Sequence, residues 1–176
     1  MRINILPIET LSSVHLRAEF REIIMSIHYY KRSSRSKNGI DESRISKRYT
    51  LNGGHAYFWY NKYGYILDRY WKLRDEMIKR NYKVQDAEVF LEPFNEFIPK
   101  SVINDYTPDN EEMIVNLERV LRRIYIKPKL YKERTFIEWC VYYFEYLNIT
   151  EERMYNMIVE IESDFEKSLL TEHIKD

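Results

Sequence analysis

Residues 12–30, SSVHLRAEFREIIMSIHYY, repeat their apolar side chains with the period of an α-helix, and the rest of the chain must pack against that face. At 3.6 residues per turn, Leu16, Phe20, Ile23, Ile24 and Ile27 share one face, which is a core face. His15, Glu19 and Glu22 share another, flanked by Arg17 and Arg21. Ser12 or Ser13 is placed to cap this helix, which is expected to run from about residues 10–13 to about residue 30. Taken by themselves, the charges fit a solvated helix face neutralised by i, i+4 neighbours as well as they fit a site.

Helices are also favoured by the scarcity of turn formers: 4 Gly and 5 Pro in 176 residues. A second helix is expected over about 65–81, with Ile66, Tyr70, Leu73 and Met77 as its inner stripe. Residues 31–53 read as a basic, polar connector with a turn at Asn38-Gly39, and the adjacent Gly53 and Gly54 read as positions of unusual dihedrals or close approach. Residues 82–106 look extended or irregular. TPDNEE at 107–112 reads as a helix start with Thr107 as cap and Pro108 in the first turn, leading a helix to about residue 125. Two further helices are expected over about 135–147 and 151–170, the second capped by Thr150. The fold class is therefore all-α: a compact bundle of about three long helices with an extended N-terminal segment, and a C-terminal helical appendage. The corresponding domains are 1–134 and an acidic helical extension, 135–176.

A composition of 44% hydrophobic and 32% charged residues is that of a soluble globular protein. No apolar run approaches 18 residues, so no membrane partner is expected. The opening MRINILPIET lacks the apolar core and cleavage site of a signal peptide. One cysteine, Cys140, excludes an internal disulfide and favours a reducing, cytoplasmic setting, or wherever host or viral DNA resides. The zero net charge hides an asymmetry. Residues 1–135 carry 25 Lys and Arg against 18 Asp and Glu, whereas residues 136–176 carry 3 against 10. The basic residues cluster at 31–48 and 119–134.

Familiar catalytic signatures are missing. The four histidines, His15, His28, His55 and His173, fall in no H-E-x-x-H pattern, and there is no C-x-x-C, G-x-S-x-G, Walker or dinucleotide fingerprint, so neither metal nor cofactor is expected. Cys140 lies in an apolar helical pattern, FIEWCVYYF, and reads as core.

Three blocks carry a resemblance. The first is Arg2-Ile3-Asn4 followed by His15-Leu16-Arg17-Ala18-Glu19-Phe20-Arg21-Glu22; the second is LNGGHAYFWYNK at 51–62; the third is DYTPDNEE at 105–112 with Arg119, Arg123 and KPKLYK at 127–132. Together they resemble the pyrimidine-dimer DNA glycosylase/AP lyase family, of which the phage UV endonuclease V is the best-known member. The likeness covers roughly 1–134; residues 135–176 have no counterpart. It implies that the α-amine at the N-terminus attacks C1′ of a damaged nucleotide, forms a Schiff base and cuts the strand by β-elimination. An α-amine suits that work, since its reference pKa is about 7.7–8.0 against about 10.4 for lysine, and Arg2 and Arg21 would lower it further by repulsion.

The resemblance implies Met1 as nucleophile and Glu22 as the carboxylate that stabilises the cationic sugar and iminium and moves protons. It implies Arg21 on the lesion or its phosphate, His15 as a supporting neighbour, and Arg2, Arg119, Arg123, Tyr131 and Lys132 on DNA. His55 either touches the site or caps a helix. Reach permits the pairing: ten helical residues to Glu22 span about 15 Å, and residues 1–7 extended span up to about 24 Å. The sequence departs from the phage enzyme at Arg2, which directly follows Met1 where that enzyme has the Thr that becomes its N-terminus; a Met before Arg is retained. It also departs at Met25, for an Arg, and at Leu130, for a Trp. The expected partner is damaged double-stranded DNA bound by a monomer, with the extension available for dimerisation. Two other readings stay open: a non-catalytic DNA-binding module, and an interaction protein acting through its acidic tail.

Overall fold

The computed structural model describes residues 3–173, with side chains as far as Ser168. Among the described residues there is no strand, and the fold is all-α. The helices are α1 (Ser13–Glu22), α2 (Ile24–Ser34), the short α3 (His55–Phe58), α4 (Tyr63–Lys79), α5 (Glu88–Phe97), α6 (Asn110–Ile126), α7 (Phe136–Tyr146) and α8 (Glu151–His173). They form two compact units, residues 1–112 and 113–176, so the acidic extension belongs to the second. No described helix is long and apolar enough to cross a membrane.

In the first unit α1 packs on α4 and α2, and α2 packs on α5. The single first helix expected from the sequence is two, α1 and α2, divided at Ile23. Ser12 caps α1, its hydroxyl accepting the His15 amide hydrogen at 3.2 Å. Leu16, Phe20, Ile23 and Ile27 are buried as the periodicity requires, while Ile24, expected on the same face, is only half-buried. Ile66, Tyr70, Leu73 and Met77 of α4 are buried too. Phe20 stacks on Tyr70, and Tyr70 stacks on Phe90 with ring centroids 3.9 Å apart, which ties α1, α4 and α5 together.

Three expectations are corrected. Residues 82–106 are not all extended, because Glu88–Phe97 is a helix. Pro93 removes one helical hydrogen bond at a cost of about 3 kcal/mol, but burying Phe90 and Phe94 returns about 3–6 kcal/mol. The cap of α6 is Asp109 rather than Thr107: its carboxylate accepts the Glu112 amide hydrogen at 2.8 Å, and Glu112 accepts that of Asp109 at 3.0 Å. At the glycine pair, an added Cβ on Gly53 would meet nothing, and only Gly54 is close-packed, 3.0 Å from the Thr50 hydroxyl; the positive φ falls on Asn52.

In the second unit Leu117, Leu121, Ile124, Trp139, Tyr143, Phe144, Met157 and Ile161 are buried. Thr135 and Glu138 form a full capping box at the start of α7. Cys140 is fully buried, and burial, helped by the charge of Glu162, pushes its thiol up to about 12. It therefore stays a neutral core residue at physiological pH.

Candidate active site

The first unit fastens the beginning of the described chain through backbone groups of Ile3, Asn4 and Leu6. Ile3 is fully buried. Its N–H donates to His55 Nε2 at 3.2 Å, and its carbonyl accepts from the Tyr49 hydroxyl at 3.0 Å. The Asn4 N–H and side-chain amide donate to the two oxygens of Glu19, at 2.9 and 2.6 Å. The Asn4 carbonyl accepts from Tyr65 at 3.3 Å, and the Leu6 carbonyl from Arg69 Nη1 at 3.0 Å. Further on, Arg80 at the end of α4 donates to the carbonyls of Leu11 and Glu9.

Glu19 is the centre of this clamp. It is 1% exposed, and Arg69, 4% exposed, closes on it with Nε and Nη2 at 2.6 and 3.1 Å, a two-pronged pair. Burial acts against the Arg69 charge, but Glu19 and Tyr65 beside it outweigh burial and raise its pKa above the ordinary arginine value. Four donors on one carboxylate compensate its removal from water.

The helix carrying Glu19 also carries most of the expected site. Glu22, one turn further on, is half-buried at the C-terminal end of α1. His15, one turn before Glu19, is half-buried, with its Nδ1 3.0 Å from the Ser12 hydroxyl. Arg21 is exposed and donates from Nε to the Arg17 carbonyl at 3.2 Å. Arg17 and Arg21 line an open cavity of about 220 Å³ with Lys83 and Gln85, floored by Phe20 and Met77. Three cations around one cavity make it a basic pocket beside Glu22's helix.

His55 lies inside the protein, 5% exposed, with Nδ1 2.8 Å from the Thr50 carbonyl and Nε2 also facing Trp59 Nε1 at 3.3 Å. A buried amine is present at Lys62, whose Nζ donates to Phe58, Asn61 and Ser46. Burial pulls its pKa below the ordinary lysine value, with Glu112 opposing. Met1 and Arg2 lie outside the described residues. The remaining expected DNA contacts are in the second unit: Arg119 and Arg123 half-buried on α6, Tyr131 buried at 2% exposure, and Lys132 exposed. No cluster of three or more His, Cys, Asp or Glu side chains that could hold a metal occurs among the described residues.

The sequence reading gave no role to Glu19, Arg69, Tyr49 or Tyr65, which hold the chain start. Arg69 carried a signal: a cation between Ile66, Tyr70 and Leu73 on the inner stripe of a helix needs a buried partner. Glu19 offered a weaker one, being on the same face as Glu22 but a turn nearer the middle of α1.

A family model described as pyrimidine dimer DNA glycosylase matches residues 1–88, which include the clamped segment, α1, His55, Lys62 and Arg69. That stretch is half of the 176-residue chain, and the chain belongs to the pyrimidine dimer DNA glycosylase family.

Proposed function

We propose that the protein is a DNA glycosylase with AP-lyase activity on pyrimidine dimers or a related modified base, using the α-amine of Met1 as nucleophile. The observation that carries this reading is the clamp on residues 3–6. Segment 3–12 runs back along α1: Ser12 caps its start and Asn4 is bonded to Glu19, about 10 Å along the axis. That direction leads towards the next turn, which holds Glu22. Two residues of chain reach about 7 Å, and Glu22 lies about 4.5 Å further along the helix axis than Glu19.

The amine's lone pair forms a bond to C1′ while the glycosylic bond breaks, and the bond's electron pair leaves with the base, which takes up a proton. Opening of the sugar ring gives an iminium. Loss of a C2′ proton then expels the 3′ phosphate, and water releases the amine. Glu22 stabilises the cationic sugar and iminium and carries the protons. The damaged nucleotide leaves the stack to be reached. Arg17, Arg21 and Lys83 supply positive charge for the phosphates beside α1, and Arg119, Arg123 and Lys132 supply more from the second unit.

Lys62 is the rival amine, but it is buried and donates to three oxygens. Borohydride trapping on abasic duplex DNA, followed by peptide mapping, separates the two. The adduct is expected on the peptide beginning at Met1, and Glu22→Gln is expected to slow trapping by about 10²- to 10⁴-fold. An adduct on Lys62, or full trapping by the Gln variant, sinks the reading.

A further inference from the structure

We propose that His55 is a positioning residue for the nucleophile: by accepting the Ile3 amide hydrogen at Nε2, it sets where the chain's first amine stands. The proposal rests on the α-amine reading above. A carbonyl can only accept, so the 2.8 Å contact with Thr50 fixes the His55 proton on Nδ1. Nε2 is then a bare acceptor, and it faces two donors, the Ile3 N–H at 3.2 Å and Trp59 Nε1–H at 3.3 Å.

The neighbours reinforce the same residue. Tyr49 meets the His55 ring edge-on with centroids 5.5 Å apart, and its hydroxyl holds the Ile3 carbonyl. Trp59 stacks on Tyr65, whose hydroxyl holds the Asn4 carbonyl. Both backbone polar groups of Ile3 are thereby bound to residues 49–55, two peptide units from the amine. Buried at 5% exposure, His55 acts through the chain start and not by touching DNA. An error of about 1 Å in placing a reacting group costs up to about 100-fold in rate, so this hydrogen bond bears on chemistry more than on affinity.

The test compares trapping rates at saturating abasic duplex with affinity for a duplex bearing an unreactive tetrahydrofuran site. His55→Leu removes the acceptor, Tyr49→Phe removes only the bond to the Ile3 carbonyl, and His55→Gln places an amide oxygen near the Nε2 position. The Leu and Phe variants are expected to trap about 10- to 100-fold more slowly with unchanged affinity, and the Gln variant to recover most of the rate. If the Leu variant does not fold, His55→Asn, whose shorter amide matches the Nδ1 position and leaves the Ile3 amide hydrogen unbound, takes its place. Wild-type trapping rates in the folded variants overturn the inference, and so does a Gln variant as slow as the Leu variant, which would make the effect one of packing. An adduct that maps away from Met1 in the wild-type protein removes the α-amine reading itself; an adduct on Met1 with unaltered variant rates removes only the role of His55.

Discussion

The two units bury different things. The first, residues 1–112, encloses Asn4, Thr10, Ser12, Glu19, Ser26, His55, Lys62, Arg69 and Glu112. In the second, residues 113–176, Asn116 is the buried polar residue among those described, and charges such as Arg122, Glu118 and Asp164 pair nearer the surface. Large aromatic side chains, Trp139, Tyr143 and Phe144 among them, fill the interior of the second unit. Buried ion pairs and hydrogen bonds add little net stability and demand good geometry. Their concentration around residues 3–6 is what a chain needs to hold its own beginning in one place. The comparison teaches that the first unit surrounds residues 3–6 with buried polar groups, whereas the described interior of the second is mostly apolar.

That contrast can be broken most directly at Arg69. Arg69→Leu leaves Glu19 buried without its cation and should cost about 3–5 kcal/mol of unfolding free energy, measured by urea titration, and should abolish efficient adduct formation as well. A loss below about 1 kcal/mol would mean that the pair is dispensable and the clamp is held elsewhere. Trp139→Ala opens a cavity in the second core and should cost a similar 3–5 kcal/mol, yet leave trapping at saturating abasic DNA within about twofold. A parallel loss of chemistry would erase the division of labour. The smallest effect sharpens the same point: Thr135→Ala removes the cap of α7 and should lower stability by about 1 kcal/mol, with the trapping rate unmoved.

Much of the fold was legible because it is periodic. The stripes Leu16–Phe20–Ile23–Ile27 and Ile66–Tyr70–Leu73–Met77 are buried, and the caps at Ser12 and Thr150 lie where local hydrogen bonding puts them. Helix α5 was missed although Phe90, Phe94 and Phe97 recur at helical spacing, because Pro93 among them reads as a helix breaker. Phe90 is buried and stacks on Tyr70. The cap of α6 is the Asp109–Glu112 capping box, itself a local i, i+3 pattern, and Glu112 also accepts the Tyr49 amide hydrogen from 63 residues away.

The candidate site divides in the same way. Motif blocks at residues 2–4 and 15–22 pointed to the family and to the helix that carries Glu22, since residue identity and helical spacing are properties of a short stretch. Which of two carboxylates one turn apart is buried is not such a property. Glu19 is enclosed because Arg69, fifty residues away, and Asn4 close on it, which leaves Glu22 as the half-buried acid at the helix end. The sequence by itself determined most of the helices, their inner faces and the kind of chemistry to look for. Only the tertiary structure decided that His55 and Glu19 hold the start of the chain, because hydrogen bonds between residues 15 and 52 positions apart depend on packing that no local pattern records.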